Sequence, residues 1–289
     1  MGNVLSTIQW QERTEKVEEL LQLEDSLTTT AMIQGYEAEV VGIQAGEDSY
    51  VLKVWNKHAR PDIRMQYQIL TLLIKQGVSV STPLGWGLNE QLESVLLTTY
   101  EGVNADQLTE EKLKDIVKIL IDLHSLSMDI FKNIDLPKYD FVSYSYPGIE
   151  HYTDLYPTLQ RLMSSVTMEQ NHLIHGDFHL FNVLEKQGRY TLIDWTNAQL
   201  GDIRYDFAWS WVLQQVYIPE KYSALFRSFY LAAIPIPQAE LDIFEALAGI
   251  TWMLRKRLGH VPELPGMMDR WAQLVQRNPY LQEINFIVN

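Results

Sequence analysis

The chain has 289 residues, no cysteine, and 37 acidic against 23 basic residues, a formal net charge of −14. The lack of cysteine excludes disulfides and thiolate metal sites and fits a reducing, cytoplasmic setting. No run reaches the roughly 18 apolar residues of a membrane span, and no basic segment followed by an apolar one opens the chain, so no secretory signal is expected. The acidic balance argues against a nucleic-acid partner. It leaves room for a cationic small substrate, although solubility alone also explains it.

With 46% hydrophobic residues the chain can bury a large core, and its length predicts two lobes. In chain order, residues 5–28 read as a leading amphipathic helix, with Leu20, Leu21 and Leu23 set among Glu and Gln. From Thr30 the pattern turns to β-type residues, AMIQGYEAEVVGI and SYVLKVW, joined by a hairpin turn at QAGED with Gly46. Residues 62–76 have helical periodicity and stop at Gly77. Strands around PLGWGL and SVLLTTY complete a small, mostly antiparallel sheet, an N-terminal β-rich lobe over residues 1–100.

Residues 101–289 read as a mainly helical lobe. LTEEKLKDIVKILIDLHSL is a strong helix, with Thr109 as N-cap and Glu110 and Glu111 in the first turn, where their charge complements the helix dipole. Residues 133–150, rich in Pro, Tyr and Asp, read as a loop or substrate-facing insert. Helices are expected at 152–166, 204–230, 238–258 and 265–277.

Between them stands HGDFHLFNVL, followed after a short strand by LIDWTNAQLGD: His175-x-Asp177-x4-Asn182, then Asp194. Phosphoryl transfer needs a base near the acceptor hydroxyl, metal ligands on the phosphates, and cations against the developing charge. Asp177 is the candidate base. Asn182, five residues on, can turn its amide toward a magnesium ion. Asp194 ends an apolar strand that holds its carboxylate beside a second metal position, and hard magnesium takes such oxygen ligands. Lys53, mid-strand in YVLKVW, is expensive to bury unless an anion meets it. ATP phosphate is the natural partner, and an edge-strand lysine reaching solvent is the plain alternative. Gly35, in QGYEAEVV, can lay backbone amides over phosphates or simply make a β-turn.

The chain resembles the aminoglycoside phosphotransferase family of small-molecule kinases, through HGDFHLFN, LIDW and GDIRYDFAW, and more loosely through SYVLKVW and LLTTYEG. The resemblance implies an α+β, bilobal protein-kinase-like fold that uses ATP and Mg2+ to phosphorylate a small-molecule hydroxyl, on an antibiotic such as an aminoglycoside or on a metabolite. It implies Asp177 as catalytic base, Asn182 and Asp194 as magnesium ligands, and Lys53 on the α- and β-phosphates. The segment Leu97, Thr98 to Tyr100 would be a hinge whose backbone meets adenine. His175 would brace the catalytic loop, with Asp206, and with less definition Asp202, as structural carboxylates.

One departure stands out. Where the family commonly pairs a glutamate with the lysine, this chain has Gln66 and Gln68, so either ATP affinity falls or Lys53 has a different partner. Two other readings follow from the residues. His175, Asp177 and His179 alternate and can share one face of an extended strand, as in a zinc hydrolase. A kinase-like binding or structural protein without catalysis is the second. His124 reads as a buried helix histidine. Trp209 and Trp211, two apart on a helix, cannot face the same way. Tyr139, Phe141, Tyr144, Tyr146 and Tyr152 pack a loop or line an acceptor pocket.

Overall fold

The structure, a computed structural model, describes residues 4–32, 38–56, 61–105, 107–284 and 286. The chain separates into two units, Met1–Val103 with Leu184–Thr196, and Asn104–Val183 with Asn197–Asn289. It is an α+β protein, an antiparallel N-terminal sheet followed by a mostly helical part.

The first unit holds β1 (Gln9–Arg13), α1 (Glu15–Gln22), β2 (Thr28–Ala31), β3 (Ala38–Ala45), β4 (Asp48–Trp55), α2 (Ile63–Lys75), β5 (Pro83–Leu88) and β6 (Ser94–Thr99). They form one antiparallel sheet in the order β1-β5-β6-β4-β3-β2. The β3–β4 hairpin turns through Gly46 and Glu47, with Ala45 opposite Asp48. Alternation decides the faces. Tyr50 and Leu52 on β4 are buried in a cluster with Leu5, Ile8, Val17, Leu20, Ile43 and Leu97, which leaves Lys53 on the opposite face. Asp62 caps α2 by accepting from the Met65 N–H at 2.9 Å. The N–H groups of Gly77 and Val78 return to the Ile74 and Leu73 carbonyls, a Schellman ending.

The leading segment is not the single helix expected over residues 5–28. Residues 9–13 are a strand paired with β5, with a bulge between Trp10 and Glu12, and the helix runs only over Glu15–Gln22. The cause lies in PLGWGL. A Cβ on Gly87 would meet the Gln9 carbonyl oxygen at 2.5 Å, and one on Gly85 the Trp10 ring at 2.9 Å. Two glycines therefore open that edge to a closely approaching strand.

The helical lobe expected over residues 101–289 is also interrupted. The hairpin Val183–Lys186 and Arg189–Leu192 leads residues 184–196 into the first unit. Leu192 N–H donates to the Ser79 carbonyl at 2.9 Å, and Ser79 Oγ donates to the Tyr190 carbonyl.

In the second unit α3 (Glu110–His124) begins at Thr109, whose hydroxyl accepts from the Lys112 N–H at 3.2 Å. The insert carries the short α4 (Phe141–Ser145), and α5 (Tyr156–Ser165) follows. The strands His172–Ile174 and Gln199–Gly201 pair antiparallel. The 204–230 stretch is two helices, α6 (Ile203–Tyr217) and α7 (Glu220–Ala233), because Pro219 has no N–H to continue the first and sits before the second. Then come α8 (Gln238–Arg257) and α9 (Met267–Arg277). Residues 206–216 of α6 and 243–254 of α8 are buried on all sides, the mark of central helices. Among the described residues no helix is long and apolar enough to cross a membrane.

Candidate active site

The loop after His172–Ile174 is built around one buried carboxylate. Asp206, 1% exposed on the first turns of α6, accepts from the His175 N–H at 3.1 Å and the Gly176 N–H at 2.9 Å, and its Oδ2 lies 3.0 Å from His124 Nε2. His124 Nδ1 in turn meets the Tyr230 hydroxyl at 2.7 Å. Hydrogen bonds to a charged group contribute about 1.5–3 kcal/mol each, so this collar fixes the loop backbone. Gly176 has φ +80, and a Cβ there would meet the Asn197 carbonyl oxygen at 2.7 Å; the position accepts glycine alone without rearrangement. His175 is fully buried, and its Nδ1 accepts from the Asp177 N–H at 3.3 Å.

Asp177 emerges from this collar with its side chain about a quarter exposed. The Trp209 indole N–H donates to its Oδ1 at 3.1 Å, and His179 Nε2 lies 3.5 Å from its Oδ2. Burial works to raise its pKa. The His179 hydrogen bond and charge, the Arg255 charge and the Trp209 N–H outweigh burial and hold it at about 2, below the ordinary 3.8. The carboxylate is therefore ionised at any physiological pH and is a weak base in its resting state. Asn182 ends the turn Leu180–Asn182, and its Nδ2 donates to the Asp177 carbonyl at 3.0 Å. The amide nitrogen is thus engaged within the loop, and the metal role expected of Asn182 would fall to its Oδ1.

In the first unit, Lys53 Nζ lies 3.9 Å from Asp194 Oδ1, with side-chain exposures of 23% and 45%. A pair this open contributes at most about 1 kcal/mol to stability, so its placement is not explained by folding. Asp194 has φ +66, the left-handed region that a non-glycine residue enters at a conformational cost. Thr196 Oγ1 donates to the same Oδ1 at 3.3 Å. Among the described residues Asp194 is thus the acid beside Lys53, where the family commonly has a glutamate. Gln66 is buried, its Nε2 lacking a hydrogen-bond partner among the described residues, and Gln68 is half-buried.

The hinge residues are more tied up than a free recognition edge. Leu97 and Thr98 lie in β6 between β4 and β5, opposite Leu52 and Val51. The Tyr100 N–H donates to the Ser49 carbonyl at 3.1 Å, and its carbonyl accepts from Lys186 Nζ at 3.1 Å. An adenine edge at Tyr100 meets backbone groups that already have partners. Gly35 lies outside the described residues.

Several residues around Asp177 escaped sequence reasoning. Trp209 and Trp211 do point apart, the first to Asp177 and the second under Arg227, yet nothing in WSW says which meets the carboxylate. His179 contacts Asp177. The signal was its two-residue spacing, which the turn converts into a shared carboxylate instead of a shared strand face. Among the described residues no three His, Asp or Glu side chains gather to hold a metal, so His175, Asp177 and His179 do not build the zinc set. The aromatic insert divides: Phe141 and Tyr144 line a cleft with Trp209, Tyr139 stacks on Tyr144, Tyr146 is buried with its hydroxyl donating to the Leu247 carbonyl, and Tyr152 lies under Arg257.

Comparison with protein families matches residues 28–240 to APH, the phosphotransferase enzyme family. Protein LicA homolog of Metamycoplasma hominis is 25% identical over 136 residues, 44% of this chain and 52% of that protein, so the chain spans about half the length of this curated relative. Among solved structures, a thermostable mutant of aminoglycoside phosphotransferase APH(4)-Ia with AMP-PNP and hygromycin B superposes with a TM-score of 0.65 at 17% identity, covering 92% of this chain and 97% of that one. Plasmodium vivax ethanolamine kinase does so at 0.59 and 14% identity, over 94% and 92% of the two chains. At these identities the structural likeness is one of fold; the family match covers well over half the chain. The chain belongs to the APH phosphotransferase enzyme family.

Proposed function

We propose that this protein transfers the γ-phosphate of ATP to a hydroxyl group of a small molecule. The observation that carries the reading is Asp177, a carboxylate held ionised by His179, Trp209 and the charge of Arg255 on a loop fixed by Asp206. Bound magnesium–ATP brings the transferable phosphoryl group, whose charge is spread over its oxygens as it moves. The remaining tasks fall to side chains. Lys53 meets the α- and β-phosphates, and Asn182 Oδ1 and the Asp194 carboxylate are the oxygen donors that suit magnesium. The segment from Leu97 and Thr98 to Tyr100 is the wall against which adenine would lie, its backbone groups being already paired, and Gly35 is assigned to the phosphates. His175 and Asp206 hold the loop in place.

A carboxylate with a pKa of about 2 cannot deprotonate an alcohol in advance. Asp177 instead accepts the hydroxyl's hydrogen bond, orients the oxygen in line, and takes the proton late, once the oxygen has begun to bond to phosphorus. Two neighbouring solved structures hold an antibiotic alongside ADP or AMP-PNP, which supports an organic acceptor. The test is a screen of magnesium-dependent ATP turnover over hydroxylated antibiotics and metabolites, with D177N as control. Acceptor-dependent turnover that D177N abolishes is expected. Equal silence of both proteins across the panel would favour the binding-protein alternative.

A further inference from the structure

A cleft in the second unit that reaches Gly176, the residue before Asp177, is walled by Phe141, Tyr144, Tyr205 and Trp209, and its charged lining residues are Asp202 and Arg255. The two charges are used differently. Asp202 is 3% exposed; its carboxylate accepts from the Glu169 and Arg204 N–H groups and from the Arg204 guanidinium. It is spent within the fold. Among the described residues the Arg255 side chain makes no hydrogen bond and no ion pair. Its guanidinium lies over the Trp209 ring, 4.8 Å from the centroid, and is half-buried. Every other arginine of this unit holds a carboxylate or carbonyl oxygen. In a chain with 37 acidic residues, a half-buried fork of donors without an oxygen is a recognition element awaiting one.

Trp209 also sets the geometry. One indole carries Arg255 on its face and Asp177 on its N–H, so a guest at the guanidinium reaches Asp177 across a single ring. A cationic guest would meet Arg255 with the cleft's own acid already engaged. One guanidinium, with no lysine beside it in the cleft, suits a singly charged carboxylate better than a doubly charged phosphate. Building on the phosphotransferase reading, we propose that Arg255 is the specificity residue of the acceptor site. The acceptor is a hydroxylated carboxylic acid, its carboxylate on Arg255 and its hydroxyl at Asp177. This replaces the cationic substrate for which the overall charge left room.

The test reads binding by calorimetry without nucleotide, on size-matched triplets: glycolate, ethylene glycol and ethanolamine; D-gluconate, D-glucose and D-glucosamine. The acid of a triplet is expected to bind about ten- to a hundredfold tighter than its neutral and amino counterparts, the range of a charged hydrogen bond. R255Q should erase that preference, and R255K, which keeps the charge but loses the fork, should retain part of it. A neutral or amino compound binding as tightly as the acid, no acid binding at all, or a preference that survives R255Q would overturn the proposal. Phosphate transfer from ATP, measured separately on the same compounds, keeps the two readings apart. Arg255-dependent acid binding at a site where no hydroxyl is ever phosphorylated would sink the phosphotransferase reading and leave the anion site. Transfer to the amino or neutral members would do the reverse.

Discussion

The Asp177 loop and the Lys53–Asp194 pair are built on opposite principles. Around Asp177 the loop is braced, although His179 Nδ1 has no partner among the described residues: Asp206 holds two backbone N–H groups and His124, Asn182 is tied to the Asp177 carbonyl, and Trp209 donates to Asp177 itself. Around Lys53 the polar groups are left loose, with an ion pair at 3.9 Å, half open to solvent, whose acid sits in a left-handed backbone conformation. The difference teaches where rigidity is placed. Under the proposed function a hydroxyl must be aimed, and the group that would aim it is braced before any ligand arrives. A polyphosphate carries its own charge, so under the proposed function the loosely paired Lys53 and Asp194 would be completed on binding.

Removing the brace should have the largest effect. D206A strands two buried groups, the His175 N–H and His124 Nε2, and the partly buried Gly176 N–H, each costing about 1–3 kcal/mol, and is expected to lower unfolding free energy by about 4 kcal/mol by denaturant titration. A loss under about 1 kcal/mol would show that the collar holds nothing. A medium effect belongs to pH. The Asp177 carboxyl has a folded pKa of about 2 against an ordinary 3.8, so its contribution is present above pH 3.8 and is lost as pH falls through the window from 3.8 to 2. At 1.36 kcal/mol per pKa unit this is about 2 kcal/mol, and D177N should flatten that part of the acid-unfolding profile. An unchanged profile would contradict the electrostatics described for the loop. The smallest effect has the opposite sign. D194G relieves the left-handed strain and forfeits an open ion pair, so stability should hold or rise by up to about 1 kcal/mol while turnover is lost. A marked fall in melting temperature would mean that Asp194 is structural after all.

Local features were legible from the chain alone. The loop with Asp177 and Asn182 is a single short turn, so its spacing already states its geometry. Asp62 and Gly77 bound α2 through contacts within a few residues, and the alternation of β4 sets Lys53 opposite the core face. What escaped depended on distant partners. The strand Gln9–Arg13 exists because β5 offers two glycines some 75 residues later. Residues 184–196 join the first unit through Ser79. Arg255 meets Trp209 because α6 and α8 lie side by side, and no periodicity in either helix announces which side chains will face each other. Contacts of this kind bring Arg255 into the cleft, whereas overall charge did no more than leave room for a cationic substrate.

The central claim is that Asp177 performs the chemistry and the rest of its loop holds it there. It is tested most directly by magnesium-dependent ATP turnover of wild type and D177N with the best acceptor from the screen, alongside ATP binding. A loss of about 10²–10⁴-fold in kcat with folding and ATP affinity retained is the predicted result; near-normal turnover by D177N would contradict it.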